Sequence, residues 1–157
     1  MSLIRIISGG QTGVDRAALD ASLDCNFACG GWCPEGRLAE DGVIHEKYPL
    51  IEIPGRGYND RTLKNVLNSD ATLVICIGKI TGGTKLTVKY LKDHKKPLLL
   101  VNAELINIDD ALLNLIDFIN FNKVEILNVA GPRISSHQDA YNYTYKLLKK
   151  FLLSIAI

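Results

Sequence analysis

Short, unbroken apolar runs alternate with amphipathic stretches along this sequence, and that alternation limits the chain to very few folds. LIRIIS (3–8), FACGG (27–31), ATLVICI (71–77), LLLV (98–101) and VEILNVA (124–130) are the length of strands and apolar nearly throughout, the composition of strands covered on both faces. PLIEI (49–53) is a briefer candidate inside a long glycine-, proline- and charge-rich loop from Trp32 to about Tyr58. Val14, Ala17, Ala18, Ala21 and Cys25 recur at helical spacing after the first run, the stripe of a helix lying on a sheet. Further helices are expected over about 59–68, with Leu63, Val66 and Leu67 inward, from Gly82 to about His94, from Asp109 or Asp110, and over 137–154. Strand, crossover helix and strand in repetition mean an α/β fold, doubly wound, with a mostly parallel sheet covered by helices on both faces. No repeat, linker or low-complexity tract interrupts it, so residues 1–157 read as a single domain.

Composition removes several classes of function. With 47% hydrophobic and 22% charged residues the chain can build a core, and 18 basic against 17 acidic residues give a net charge of +1 with no basic tail. That balance lacks the electrostatic footprint of a nucleic-acid partner. The longest apolar stretches fall far short of the roughly 20 residues that cross a bilayer, and glycine breaks the opening MSLIRIISGG too early for a signal peptide. The expected location is cytoplasmic, without a membrane partner, and there the four cysteines stay reduced. Cys25, Cys29 and Cys33 are spaced four apart but assigned to a helix end, a strand and a loop. No further His or Cys completes a zinc spacing, and no structural metal is expected.

In an open parallel sheet, ligands bind beyond the carboxyl ends of the strands, where helix N-termini point. Three turns lie at such places. Ser8-Gly9-Gly10-Gln11-Thr12-Gly13 follows the first strand; its glycines admit a close approach, its N–H groups favour an anion, and Thr12 can cap the helix or touch the ligand. Gly82-Gly83-Thr84 repeats the device. Gly131-Pro132-Arg133-Ile134-Ser135 adds a guanidinium and a hydroxyl. None is a GxGxxG or P-loop fingerprint. Asp15, Arg16, Arg37, Glu40, Asp41, and Arg61 with Asn65 on one helix face complete the candidate set. Trp32 either stacks on a flat ligand, carried by a loop over the site, or plugs the core. Nucleophilic options are thin, because none of His45, His94 and His137 has an adjacent Ser or Cys pattern.

Ser8–Leu19, Gly31–Arg37, Ala39–Gly42, Arg61-Thr62, Asn65-Val66, Ser69–Thr72, Gly82–Thr84 and Gly131–Arg133 together resemble the molybdenum-carrier family, related to the Rossmann-like nucleotide-binding superfamily called SLOG. The resemblance implies a Rossmann-like fold, a homo-oligomer (dimer or tetramer), and a pocket for molybdenum cofactor (molybdopterin), a related pterin or a nucleotide. A carrier or binding role for a small phosphate-bearing ligand follows from it. The alternative is a nucleotide N-glycosidase, as in the phosphoribohydrolase branch, where a glutamate closely follows Gly-Gly-Thr. Here Lys85-Leu86-Thr87-Val88 follows, leaving only Asp15 or Glu40 as stand-ins, so the leaning is away from an enzyme. The final helix carries Tyr141, Tyr145, Leu148, Phe151, Leu152 and Ile155 on one stripe with Leu147, Leu153 and Ile157 off it, a breadth that suits burial against another copy.

Overall fold

A computed structural model describes residues 1–55 and 58–156 of the chain. Its centre is a five-stranded sheet with every pairing parallel. The strands are β1 (Arg5–Ile7), β2 (Cys29–Gly30), β7 (Ala71–Cys76), β8 (Leu98–Asn102) and β9 (Ile126–Ala130), in the order β2-β1-β9-β7-β8. The last strand therefore lies at the middle of the sheet, between β1 and β7.

Five helices cover the two faces. Helices α1 (Val14–Asp24), α4 (Ile108–Asn122) and α5 (Asp139–Ile155) share one buried cluster with Leu73 and Ile75 of β7 and Leu127 and Val129 of β9. Helices α2 (Tyr58–Leu67) and α3 (Gly82–Asp93) pack Val66 and Leu91 on Val74, from the opposite face of the same strand. Successive residues of a strand point to opposite faces, so β7 supplies both cores. The arrangement is α/β, Rossmann-like, and doubly wound as its pattern predicts.

The long loop carries more structure than expected. Trp32–Pro34 forms β3 and pairs in parallel with β6 (Ile51–Ile53), the PLIEI segment. A short 3-10 turn at Glu35–Arg37 leads to a two-residue hairpin, β4 (Leu38–Ala39) with β5 (Gly42–Val43). Cys33 consequently lies in a strand, buried with Leu19, Cys29, Ile44, Tyr48 and Leu50 in a cluster under the loop.

Helix ends differ in detail from their expected form. Asn107, not an aspartate, caps α4, its side chain accepting from the Asp110 amide at 2.8 Å, with Asp109 and Asp110 in the first turn. Leu67 is exposed, because α2 turns Val66 and Asn65 inward instead. The buried stripe of α5 is Ala140, Thr144, Leu147, Leu148, Phe151 and Leu152. Leu147 is thus core, while Tyr141 and Tyr145 flank it and reach back to Asp20 and Asp24 of α1. Ile157 lies outside the described residues. No helix among those residues is long and apolar enough to cross a membrane.

Candidate functional site

The carboxyl ends of β1, β9 and β7 open into one cleft of about 370 Å³, within the usual range for a small-molecule pocket. It lies where the strand order reverses, with β9 filling the position between the two halves. All three glycine-bearing turns contribute to its wall.

The second turn faces it most openly. Gly82, Gly83 and Thr84 form the first turn of α3, and no side chain caps that helix at Thr81. A Cβ added to Gly82 or Gly83 would meet nothing within 4 Å. An uncapped helix N-terminus beside open space offers N–H groups and the positive end of the dipole to an anion.

The first turn is arranged differently from expectation. Its amides have acceptors within the protein: Gly10 N donates to Ser8 Oγ at 3.4 Å, Gln11 N to Asp15 Oδ2 at 3.3 Å, and Thr12 N to Gln11 Oε1 at 3.0 Å. Gly9, Gln11 and Asp15 line the cleft, whereas Gly10 packs against Leu50 and Ile44, and Gly13 against the backbone of Pro132 and Arg133. Thr12 does not cap α1, whose N-cap is Gly13 without a side-chain bond.

Arg61 and Asn65 share one face of α2, as their spacing predicts, and that face forms part of the cleft wall. Arg61 Nη1 lies 3.2 Å from Asp15 Oδ2, with both side chains largely buried. Burial pushes the Asp15 carboxyl above its ordinary range, opposed by the Arg61 charge and the Gln11 amide. Asn65 also holds the loop: its side chain accepts from Trp32 N and donates to Trp32 O, each at 3.0 Å. Trp32 therefore sits in β3 under the Lys64 ammonium, 5.6 Å from its ring, and does not line the cleft.

Arg37 and Arg16 are also structural in placement. The Arg37 guanidinium donates to the carbonyls of Ile44, His45, Tyr48 and Leu50, at 2.9 to 3.2 Å. Arg16 donates to Gly10 O and pairs with Asp41 through both terminal nitrogens, at 3.1 and 3.2 Å. None of Arg16, Arg37 and Asp41 lines the cleft. Glu40 stands at its rim, where its carboxylate accepts from Thr12 Oγ1, from Ser135 N at 3.2 Å and from Ser135 Oγ at 2.6 Å.

At the third turn Arg133 and Ser135 line the cleft, and Ser135 binds Glu40 instead of capping α5. Sequence reasoning missed Lys79, Asn128 and His137, all in the wall. Lys79 follows β7 as the turns follow β1 and β9, so the strand-end rule applied there would have found it. Asn128 is a polar residue in an otherwise apolar buried strand, and its amide donates to Thr72 Oγ1 at 3.2 Å. Cys76 also borders the cleft; burial, and then the Glu104 charge, push its thiol up, so it offers no thiolate at neutral pH. Among the described residues no group of three or more His, Cys, Asp or Glu could hold a metal ion.

Residues 6–152 match the circularly permutated YpsA SLOG family. A crystal structure from Syntrophus aciditrophicus SB, named "Putative molybdenum carrier protein", superposes with a TM-score of 0.94 at 44% identity, covering 96% of each chain. No curated protein matches the chain. Glycine-bearing turns on one edge of a parallel sheet, and a match over nearly the full length, agree: the chain belongs to the circularly permutated YpsA SLOG family.

Proposed function

We propose that this chain is a cytoplasmic binding or carrier protein for a small phosphate-bearing ligand: molybdenum cofactor, a related pterin or a nucleotide. The observation that most supports the reading is the open, uncapped N-terminus of α3 at Gly82–Thr84, facing a cleft that also holds Lys79 and Arg133. Backbone amides and two cations suit a phosphate group. The donors here fit the phosphate end of molybdopterin, and among the described residues no group of three or more His, Cys, Asp or Glu could hold a metal ion. The name of the Syntrophus protein points in the same direction.

Equilibrium dialysis against molybdopterin, molybdate and a panel of nucleotides tests the reading. Binding of at least one phosphate-bearing compound is expected, weakened by salt and by Lys79→Ala or Arg133→Ala. Retention of none would overturn it. Homo-oligomers are part of the proposal, supported by the exposed side chains of Leu105, Leu113 and Phe121; sedimentation of a strict monomer at every concentration would defeat that part.

One observation favours the hydrolase alternative. Asp15 is the acid among the described cleft residues, and its raised affinity for a proton suits acid–base work. Against it, Arg61 and the Gln11 amide already engage that carboxylate. Release of free base from AMP, abolished in Asp15→Asn, would establish this reading in place of the first.

A further inference from the structure

Three donors converge on the Glu40 carboxylate. Ser135 supplies its backbone N–H at 3.2 Å and its hydroxyl at 2.6 Å, and Thr12 supplies its hydroxyl. Arg133 Nη1 stands 3.9 Å from Glu40 Oε2. An amide, two hydroxyls and a guanidinium around two carboxylate oxygens make an oxyanion site that is filled from within the chain.

The segment that delivers Glu40 is slight. It lies in the two-residue hairpin of β4 and β5, whose residues are mostly exposed, and Gly42 within it has open space around it. Besides the Thr12 hydroxyl, its links to the first turn and the start of α1 are the Glu40 amide, which donates to Gln11 Oε1 at 2.9 Å, and the Arg16–Asp41 pair. Arg16–Asp41 is half exposed on the aspartate side, and exposed pairs contribute roughly 0–1 kcal/mol. By contrast, two of the donors, Arg133 and Ser135, belong to the wall of the cleft. The anion and its donors thus lie on separate segments of the chain, the hairpin on one side and the turns before α1 and after β9 on the other.

We propose that Glu40 occupies a phosphate subsite at the rim of the cleft, and that a phosphate group of the ligand displaces it, releasing the hairpin at residues 38–43. This rests on the reading of the cleft as a phosphate-ligand pocket and adds where one phosphate sits and what it replaces. A neutral side chain at position 40 leaves the donors less well satisfied and removes a competing charge. The fraction of molecules ready to bind then rises, and apparent affinity rises with it.

Calorimetric titration of wild type and Glu40→Gln with inorganic phosphate and with AMP provides the test. Glu40→Gln is expected to bind phosphate about tenfold more tightly or better, and adding Ser135→Ala to it should return the affinity toward wild type. Hydrogen exchange at residues 38–43 should quicken when phosphate is added to wild type. Folded Glu40→Gln that binds phosphate no better than wild type would overturn the displacement, as would exchange at 38–43 that slows. The two readings separate cleanly: if Glu40→Gln gains phosphate affinity while neither protein retains nucleotide or molybdopterin, the subsite stands and the carrier function falls.

Discussion

The backbone amide of Val14 donates to the carbonyl oxygen of Pro132 across 3.2 Å, which ties the start of α1 directly to the turn after β9. Gly13 makes the approach possible. Its φ is +82°, and an added Cβ would lie 2.3 Å from the Pro132 oxygen, a backbone atom with little room to move. Gly13→Ala should destabilise the fold by about 2–4 kcal/mol, from strain plus overlap, measured by urea unfolding. Gly83→Ala is the contrast, since its Cβ meets open space and its φ is not left-handed. It should leave stability unchanged or raised by up to about 1 kcal/mol.

Breaking the Asp15–Arg61 pair should cost more as pH rises. The folded carboxyl titrates above its ordinary value of 3.8, chiefly through burial, with Arg61 pulling the other way. Its contribution to stability is greatest where it is protonated in both states, and declines as pH rises through the folded value. Arg61→Met removes the pull and widens that window. The deficit relative to wild type should be small near pH 4, grow with pH, and level at about 3–5 kcal/mol where a buried carboxylate stands without its cation. Denaturant melts at a series of pH values would show it, and Asp15→Asn in the same background should recover most of the loss.

The four carbonyls gathered by Arg37 predict a local effect. Arg37→Lys keeps the charge but not the planar fork, so it should free the loop over residues 38–50 almost as fully as Arg37→Ala. Limited proteolysis should cut both variants in that loop while wild type resists. The loss of global stability is expected at about 1–3 kcal/mol, read from thermal melts.

Asp20 accepts from Tyr48 OH and from Tyr141 OH, each at 2.6 Å. Burial first, and then the Asp20 carboxylate, push both phenols above their ordinary range. A tyrosine whose folded value is raised contributes stability below the unfolded value, near 10, and loses it at higher pH. Absorbance titration at 295 nm should therefore show two tyrosines that ionise only as the fold is lost. In Asp20→Asn both should titrate earlier, and the folded state should weaken by about 1–3 kcal/mol.

The larger elements were legible because their signals are cooperative over many residues. Val14 to Cys25 repeats an apolar stripe for three turns, and ATLVIC (71–76) is buried along its whole length, so neither depends on one contact. The hairpin at 38–43 and strand β3 were not legible, since two or three residues carry no period. The same limit left the surroundings of Trp32 and Arg37 unreadable. A tryptophan and an arginine in a glycine-rich loop suit either ligand contact or internal packing, and here the loop's own carbonyls accept from Arg37 and the Asn65 side chain pairs with the Trp32 backbone. Internal acceptors on the first turn were equally hidden: that Asp15 folds back onto the Gln11 amide depends on a side-chain angle, not on spacing. Arg61 with Asn65 was readable because four residues on a helix fix a common direction.

The central place of β9 bears on how the cleft comes to exist. The pair β1–β2 and the pair β7–β8 share no ladder with each other, and each docks instead on a strand that is synthesised after both. Such non-local pairing closes late and slowly. Until it does, the turn before α1 and the turn at Gly82 belong to separate half-sheets, and the turn at Arg133 follows the strand that has yet to join them. The cleft in this architecture exists only once β9 has docked: a nascent or partly unfolded chain, however well formed its halves, lacks the shared wall at that edge of the sheet.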